Sequence, residues 1–229
     1  MEIKKMINDS ICRNHTGKMS DLISISTSCK KNTICAERAK NPGSICSKCY
    51  AQRQLSYQHS TAAKLARTYD FYTTTEIQPE DVPMINASFC RFEAFGDIQN
   101  TLHFQNYCTI AAANSHCRFV LWTKNAHIIA DYVSNNGIIP ENMYIIYSTP
   151  FINNNNEFCT VVIDGLKKVF VNKGVYNNIP IDAVFTVFDK KYAADNDITI
   201  NCGARHCMTC RRCYSLKHGT ITLINELLK

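Results

Sequence analysis

Long apolar runs and export signals are what this 229-residue sequence lacks. No stretch approaches the roughly 20 consecutive apolar residues that a membrane-spanning helix needs, so no membrane segment or membrane partner is expected. The N-terminal residues MEIKKMINDSICRNH contain no apolar stretch of the kind that forms the core of a secretory signal. We therefore expect a cytoplasmic protein.

The motifs of several common enzyme classes are also missing. The sequence contains no G-x-S-x-G, no H-E-x-x-H and no P-loop, which argues against serine hydrolases, zinc proteases and P-loop nucleotidases. With 45% hydrophobic residues and a formal net charge of only +6, the chain does not have the composition of a disordered protein. Its length suffices for one sizeable core, so we predict a single domain over residues 1–229, with an N-terminal extension at 1–20.

Cysteine, by contrast, is abundant, with 13 residues in the chain. In a reducing compartment such a number indicates metal binding rather than disulfides, and an odd number also fits complete pairing poorly. Eight of the cysteines form two groups of four, one in a predicted cluster loop at residues 29–49 and one in a segment at 202–214. The first thiol set is Cys29, Cys35, Cys46 and Cys49, and the second thiol set is Cys202, Cys207, Cys210 and Cys213.

The spacing within the two sets indicates which metal they bind. Cys46 and Cys49 form a C-x-x-C pair, whose thiolates can converge on one ion or cluster. The second set contains C-x-x-C-x-x-C, which is typical of the 4Fe–4S loops of bacterial ferredoxins, whereas zinc sites more often use two separated pairs. We predict two 4Fe–4S clusters, with zinc as the alternative metal. The sequence leaves open whether ligands are shared between the two segments.

The cysteines outside the two sets have apolar or mixed neighbours in the sequence. Buried core thiols are predicted for Cys90, Cys108, Cys117 and Cys159. Cys12 is interpreted as a free thiol.

Hydrophobic periodicity predicts strands that alternate with helices. The strands are expected at residues 21–28, 88–95, 117–123, 143–149, 182–188 and 198–201, and the helices at 52–72, 101–113, 126–134 and 216–228. Strands separated by helices imply a parallel sheet with crossover helices. The predicted class is therefore α/β, with a partial or closed (β/α) barrel similar to a TIM barrel. Its cysteine-rich cluster-binding loops follow the first and last strands.

Polar residues lie at the ends of several predicted strands. Alternation places Arg91 and Glu93 on one face of the second strand, and Gly96-Asp97 follows that strand at the edge where an α/β barrel builds its active site. Lys124 follows the third strand, where it is placed to bind a carboxylate or phosphate. The predicted cofactor-binding residues are Arg91, Glu93, Gly96, Asp97 and Lys124. A plain turn at Gly96-Asp97 is the alternative interpretation.

These motifs resemble the phage gene-product-eighty-eight family, which is found in phages and related prokaryotic sequences. The similar segments cover about residues 20–214 and are ISISTSCKKNTIC, CSKCYAQR, RFEAFGD, LWTKN and the terminal CxxCxxCY segment. More distantly, the layout is similar to a radical S-adenosylmethionine barrel. That resemblance implies S-adenosylmethionine as a further cofactor, with the motif of Gly96 and Asp97 meeting its amino group. The usual C-x-x-x-C-x-x-C loop is replaced here by C-x5-C-x10-C-x2-C.

Three functions follow from these observations. The leading prediction is a redox or radical-type enzyme with two clusters at the mouth of a barrel and an electron donor as its partner. The first alternative is a non-radical enzyme that uses an open cluster iron as a Lewis acid. The second is a zinc-stabilised nucleic-acid-binding module that uses the basic residues Arg205, Arg211, Arg212 and Lys217. The sequence identifies no catalytic residue and does not distinguish a small-molecule substrate from a nucleic acid.

Overall fold

The chain folds into a mixed α/β structure. A computed structural model describes residues 2–14, 17–153, 160–163, 166–169, 175–176, 179–203 and 205–228. The described elements are, in chain order, α1 (Glu2–Ser10), β1 (Ile11–Arg13), β2 (Ile23–Ile25), α2 (Thr33–Ala39), α3 (Tyr50–Gln54), α4 (His59–Thr74), β3 (Phe89–Phe92), α5 (Thr101–Ala113), β4 (Arg118–Thr123), α6 (Ala126–Ser134), β5 (Met143–Ser148), β6 (Thr160–Ile163), β7 (Leu166–Val169), β8 (Val175–Tyr176), β9 (Ile179–Pro180), β10 (Ala183–Phe188), α7 (Lys190–Asp195), α8 (Cys207–Cys210) and β11 (Thr222–Leu227). The α/β class that the sequence predicts is thereby confirmed.

Seven strands form the main sheet, in the order β1-β2-β3-β4-β5-β10-β11. β1 is antiparallel to β2, and every other neighbouring pair in this sheet is parallel. The parallel strands stand in chain order, as they do in a (β/α) barrel, but within the described residues the sheet is not closed. Two further antiparallel pairs, β6 with β7 and β8 with β9, lie outside it. Residues predicted as an N-terminal extension contribute β1 to the edge of the sheet.

The two faces of the sheet are covered by different parts of the chain. On one face, residues such as Ile25, Phe92 and Phe119 form the main core with side chains from α1, α4, α5 and α6; we call this the helix-covered face. On the other face, a smaller core is formed mainly by Leu22, Val120, Ile146, Ala183 and Ile224 with Tyr214 and Leu216. The segment that carries the second thiol set therefore covers the face opposite the helices.

Most predicted elements are confirmed, with strands shorter than the sequence suggests. The helices at 101–113 and 126–134 have the predicted bounds. The C-terminal helix at 216–228 is wrong, because residues 222–227 form β11 and pair in parallel with β10. Residues 198–201 are not a strand either; the amide of Asn201 instead donates to the carbonyl of Asn225 (3.1 Å).

The cysteines outside the two sets lie where the sequence predicts, as far as the structure describes them. Cys90, Cys108 and Cys117 are buried free thiols, and Cys159 lies outside the described residues. Cys12 is partly buried, and its sulfur accepts a hydrogen bond from the Lys64 ammonium (2.9 Å). In the part of the chain that the structure describes, no helix has the length and hydropathy needed to cross a membrane.

Candidate metal centres

The first thiol set is presented by short helical turns that follow β2. Cys29 comes directly after the strand region, Cys35 lies in the first turn of α2, Cys46 lies in a 3-10 turn and Cys49 immediately precedes α3. Asn32 caps α2 by accepting the amide of Cys35 (2.9 Å). The side chains of such N-capping residues hold the first backbone N–H groups of a helix in place. The chain is thus fixed locally around the thiols.

The same loop is attached to the turns that follow β3 and β4. The side-chain amide of Asn32 donates to the carbonyl of Asp97 (2.8 Å), after β3. The guanidinium of Arg38 donates to the carbonyl of Lys124 (3.2 Å), after β4. Carboxyl ends of parallel strands lie at one edge of a sheet, so these contacts place the loop across that edge.

Further contacts extend this attachment to the end of β5. Ser44 caps the 3-10 turn, and its hydroxyl donates to the carbonyl of Pro150 (3.0 Å), which also accepts the amide of Ile45 (2.9 Å). Closer to β3, the hydroxyl of Tyr50 donates to the carbonyl of Ala94. The first thiol set is therefore held at the carboxyl edge by three strands in addition to its own.

The four thiols of the first set interact with one another. A hydrogen bond between Cys29 and Cys49 raises the pKa of Cys29 and lowers the pKa of Cys49, which also accepts from backbone N–H groups at the start of α3. Burial raises the pKa of Cys35, with further contributions from Asp97 and from Cys46. Cys29 is buried and the other three are partly exposed. The loop thus gathers all four thiols in one place.

The second thiol set is built at the end of β11. The amide of Cys202 donates to the carbonyl of Asn225 (3.0 Å). Gly203, at a φ of +104°, passes close to Glu226, where a β-carbon would lie 3.2 Å from the carboxylate. Cys207 and Cys210 are the ends of α8, and Arg211 turns the chain with a left-handed φ of 52° so that Cys213 follows in a 3-10 turn.

The thiols of the second set are also close to one another. Burial raises the pKa of Cys207, and the charges of Cys202 and Cys210 act in the same direction. Burial and the charges of the other three thiols raise the pKa of Cys213 to about 12. The largest thiol–thiol contributions to the pKa values of Cys29, Cys35, Cys207 and Cys213 come from cysteines of the same segment.

Two of the predicted cofactor-binding residues, Arg91 and Lys124, lie beside the thiols. The Arg91 guanidinium stacks on Trp122, 4.1 Å from the ring centroid, and its charge opposes the rise in the pKa of Cys213. The charge of Lys124 likewise acts to lower the pKa of Cys35 and of Cys49. The charge of Arg91 therefore acts on the second thiol set, and the charge of Lys124 acts on the first.

Glu93 lies on the opposite face from Arg91, so the prediction that these two residues share a face is wrong. A φ of 59° at Glu93 breaks the alternation of the strand and turns the carboxylate toward the helix-covered face. There it accepts from the Tyr107 hydroxyl (2.7 Å) and from the amide and hydroxyl of Thr27 (3.0 and 2.8 Å), and it lies 3.3 Å from Nε2 of His103. Glu93 joins the end of β2 to α5.

Asp97 and Gly96 also connect strand ends. The buried Asp97 carboxylate accepts the Thr123 hydroxyl (2.6 Å) and the backbone amides of Lys124 and Ile98 (both 2.9 Å). A β-carbon at Gly96 would lie 2.6 Å from a Glu93 carboxylate oxygen and 2.8 Å from the carbonyl of Thr27, so only glycine fits there. These residues position the loops on which the thiols stand.

Sequence reasoning missed three residues at these centres. The Lys18 ammonium donates to the sulfur of Cys202 (3.2 Å), and Trp122 and Tyr50 lie beside Arg91. Part of the Tyr50 ring is exposed, but burial of its hydroxyl raises its pKa, and the charges of Arg91, Cys49 and Lys124 act on it too. Its position directly after Cys49 is the one signal in the sequence that pointed to it.

Both sets offer cysteine sulfurs alone as donors for a metal. In the described residues, no three His, Cys, Asp or Glu side chains are gathered closely enough to hold a single metal ion. Zinc requires its sulfurs at about 2.3 Å from one point. A cuboidal cluster binds each cysteine to a different iron and spaces the four sulfurs more widely. Cys29, Cys35, Cys46 and Cys49 would hold one cluster, and Cys202, Cys207, Cys210 and Cys213 the other.

These observations define a class: an α/β protein with a parallel sheet in chain order and two four-cysteine sets. The chain belongs to the gene product 88 family, whose model matches residues 3–220. That range contains both thiol sets, and the match confirms the resemblance to the phage gene-product family. No comparison connects the chain to radical S-adenosylmethionine enzymes. Comparison with curated proteins and with solved structures gives no match.

Proposed function

We propose that this protein is a redox enzyme with two 4Fe–4S centres, one on each thiol set. The observation that carries the proposal is the assembly of eight thiols into two separate all-cysteine groups of four. Each group is held by hydrogen bonds: the amide of Cys202 donates to the carbonyl of Asn225 in β11, and the side chain of Asn32 accepts the amide of Cys35 at the start of α2. Seven of these eight thiols are partly exposed, whereas Cys90, Cys108 and Cys117, which lie outside the sets, are buried.

The ligand count favours electron transfer over the other candidate chemistries. A cluster with four cysteine ligands has no open iron for a Lewis-acid reaction or for S-adenosylmethionine. The Asp97 oxygens accept three hydrogen bonds from the protein, so this carboxylate is not free to meet an amino group. When bound, the clusters would supply one-electron transfer.

The residues between the two sets define where a substrate would bind. Tyr50 and Lys124 lie beside the first set, and Arg91 and Trp122 lie between Tyr50 and the second set. Arg91 and Lys124 favour a substrate with an anionic group, which Tyr50 and Trp122 would hold against aromatic surface. We propose that the strands form a partial barrel whose carboxyl edge carries this surface, with an electron donor as partner.

Metal analysis of the protein purified without oxygen tests this function. We expect about eight irons and about eight acid-labile sulfides per chain, with Mössbauer spectra of 4Fe–4S clusters. A Cys12→Ser variant is the matched control, because Cys12 is a partly buried thiol outside both sets, and its iron content should equal that of the wild type. A colourless protein with stoichiometric zinc would show that the proposal is wrong.

A further inference from the structure

The two thiol sets have different electrostatic surroundings. The strongest non-cysteine charges acting on the second set are cations, Lys18 and Arg91. The first set lies near one such cation, Lys124, but also near the buried carboxylates of Asp97 and Glu93. The interaction between charges is strong in partly buried sites. Negative charge should therefore be stabilised more at the second set than at the first.

Lys18 contacts the second set directly. Its ammonium donates to the sulfur of Cys202 (3.2 Å) and forms an ion pair with Glu226 (2.8 Å), and only 29% of its side chain is exposed. Glu226 belongs to β11, the strand beside which Cys202 is held. The ion pair therefore positions the ammonium at the sulfur, and the Glu226 carboxylate offsets part of its charge.

Arg91 is the second cation of this set, and its guanidinium is poorly satisfied. Besides stacking on Trp122, it makes two weak hydrogen bonds, to the sulfur of Met19 (3.3 Å) and the carbonyl of Glu93 (3.4 Å). Its Nε is buried without a hydrogen-bond partner, and none of the ion pairs among the described residues includes it. The Cys207 and Cys213 thiols are the negative groups on which its charge acts.

The charged side chains that act on the first set are mostly negative. The Asp97 carboxylate accepts three hydrogen bonds and is fully buried, and its negative charge acts on Cys35. Glu93 acts on Cys29 and Cys35, although its pairing with His103 offsets part of its charge. Among the strongest contributions to Cys35 and Cys49, Lys124 is the one cation, and the backbone N–H groups of Ala51 and Gln52 also donate to the Cys49 sulfur.

We propose that the second centre has the higher reduction potential, so that the first electron given to the fully oxidised protein is held at the second thiol set. Reduction adds one negative charge to a cluster, and cations and N–H···S hydrogen bonds stabilise the added charge, whereas carboxylates destabilise it. The electron comes from an external one-electron reductant, and no bond forms or breaks. This inference rests on the proposed function.

A potentiometric titration of the iron-loaded protein, followed by electron paramagnetic resonance, tests the order of the potentials. Variants that lack Cys46 and Cys49, or Cys207 and Cys210, assign each signal to its thiol set. In the wild type, the signal of the second set is expected to develop first as the potential falls. If the first set is reduced before the second while the iron content is that of two clusters, the inference is wrong and the proposed function stands. A protein without iron would instead refute the function itself.

Substitutions then identify the cations responsible. Lys18→Gln is expected to lower the reduced fraction of the second centre about tenfold at a given potential, which corresponds to about 59 mV for a one-electron couple, and to leave the first centre unchanged. Arg91→Gln should act in the same direction, and Arg91→Lys should restore much of the wild-type value. Lys217→Gln is the matched control, because Lys217 is an exposed cation of the same segment. An equal shift in Lys217→Gln, or no shift in both Lys18→Gln and Arg91→Gln, would contradict this assignment.

Discussion

Glu93 is a charged residue that the fold buries completely, together with its partner His103. Burial alone would raise the pKa of Glu93. The contact with His103 and the hydrogen bonds from Thr27 and Tyr107 outweigh this effect and lower the pKa below its usual value. The carboxylate therefore stabilises the fold in its ionised form, at the point where β2 leads into the first cysteine loop.

Removing this charge should destabilise the protein. We expect Glu93→Gln to lower the free energy of unfolding by about 1–3 kcal/mol, because the amide nitrogen of glutamine cannot accept the hydrogen bonds that one carboxylate oxygen receives, and buried donors are left unsatisfied. Urea denaturation at neutral pH measures the change. Glu80→Gln is the control, because Glu80 is exposed, and it should change the stability by less than about 0.5 kcal/mol. Similar effects of the two substitutions would argue against a stabilising role of the buried Glu93 carboxylate.

The difference in stability between the wild type and Glu93→Gln should depend on pH. Because the folded-state pKa of Glu93 is lower than its unfolded value, its contribution is complete above the ordinary glutamate pKa and is lost as the pH falls through the folded pKa. The wild type should therefore lose its stability advantage over Glu93→Gln on acidification below about pH 4. Denaturation curves across the acid range measure this convergence. A constant difference between the two proteins would contradict it.

At the scale of elements, α5 and α6 were predictable because their signals are local, whereas the single helix predicted at 52–72 is two helices, α3 and α4. In α5 the side chain of Asn100 accepts the amide of His103 (2.8 Å), a helix start that can be read from the sequence. α6 likewise occupies its predicted range. β11 was not predictable in this way, since its residues become a strand by pairing with β10, and that pairing depends on the packing of the whole sheet.

The position of β11 leads to a prediction about two adjacent residues. Ile224 is fully buried in the core beneath the second thiol set, whereas Leu223 is 43% exposed. Ile224→Ala should therefore lower the free energy of unfolding by about 2–5 kcal/mol. Leu223→Ala is the matched control, and its effect should stay below about 1 kcal/mol. Chemical denaturation distinguishes the two, and equal losses would mean that residues 222–227 are not placed as described.

At the scale of the whole molecule, the two thiol sets are separate structures on one sheet. The first lies across the carboxyl edge through contacts such as Ser44 with Pro150. The second lies at β11 and continues over the face opposite the helices, where Tyr214 packs against Phe89 with ring centroids 5.3 Å apart. Loss of one set should therefore leave the other intact.

Paired substitutions test this independence. Cys46→Ser with Cys49→Ser, and Cys207→Ser with Cys210→Ser, should each reduce the iron content from about eight to about four per chain. The spectroscopic signals of the remaining centre should be those of the wild type. Ligands shared between the segments would produce a different result, because either double variant would then alter both signals.

The sequence by itself determined the number and spacing of the cysteines in both thiol sets, because C-x-x-C pairs and the residues that cap short helices act over a few positions. It also determined the α/β class, through the alternation of strand and helix patterns. Only the tertiary structure decided the surroundings of the thiols. The Lys18 ammonium meets Cys202 across 184 positions of the chain, and a left-handed φ at Glu93 turns its carboxylate away from Arg91. Charges act through space, and the folded sheet alone sets which of them face each thiol set.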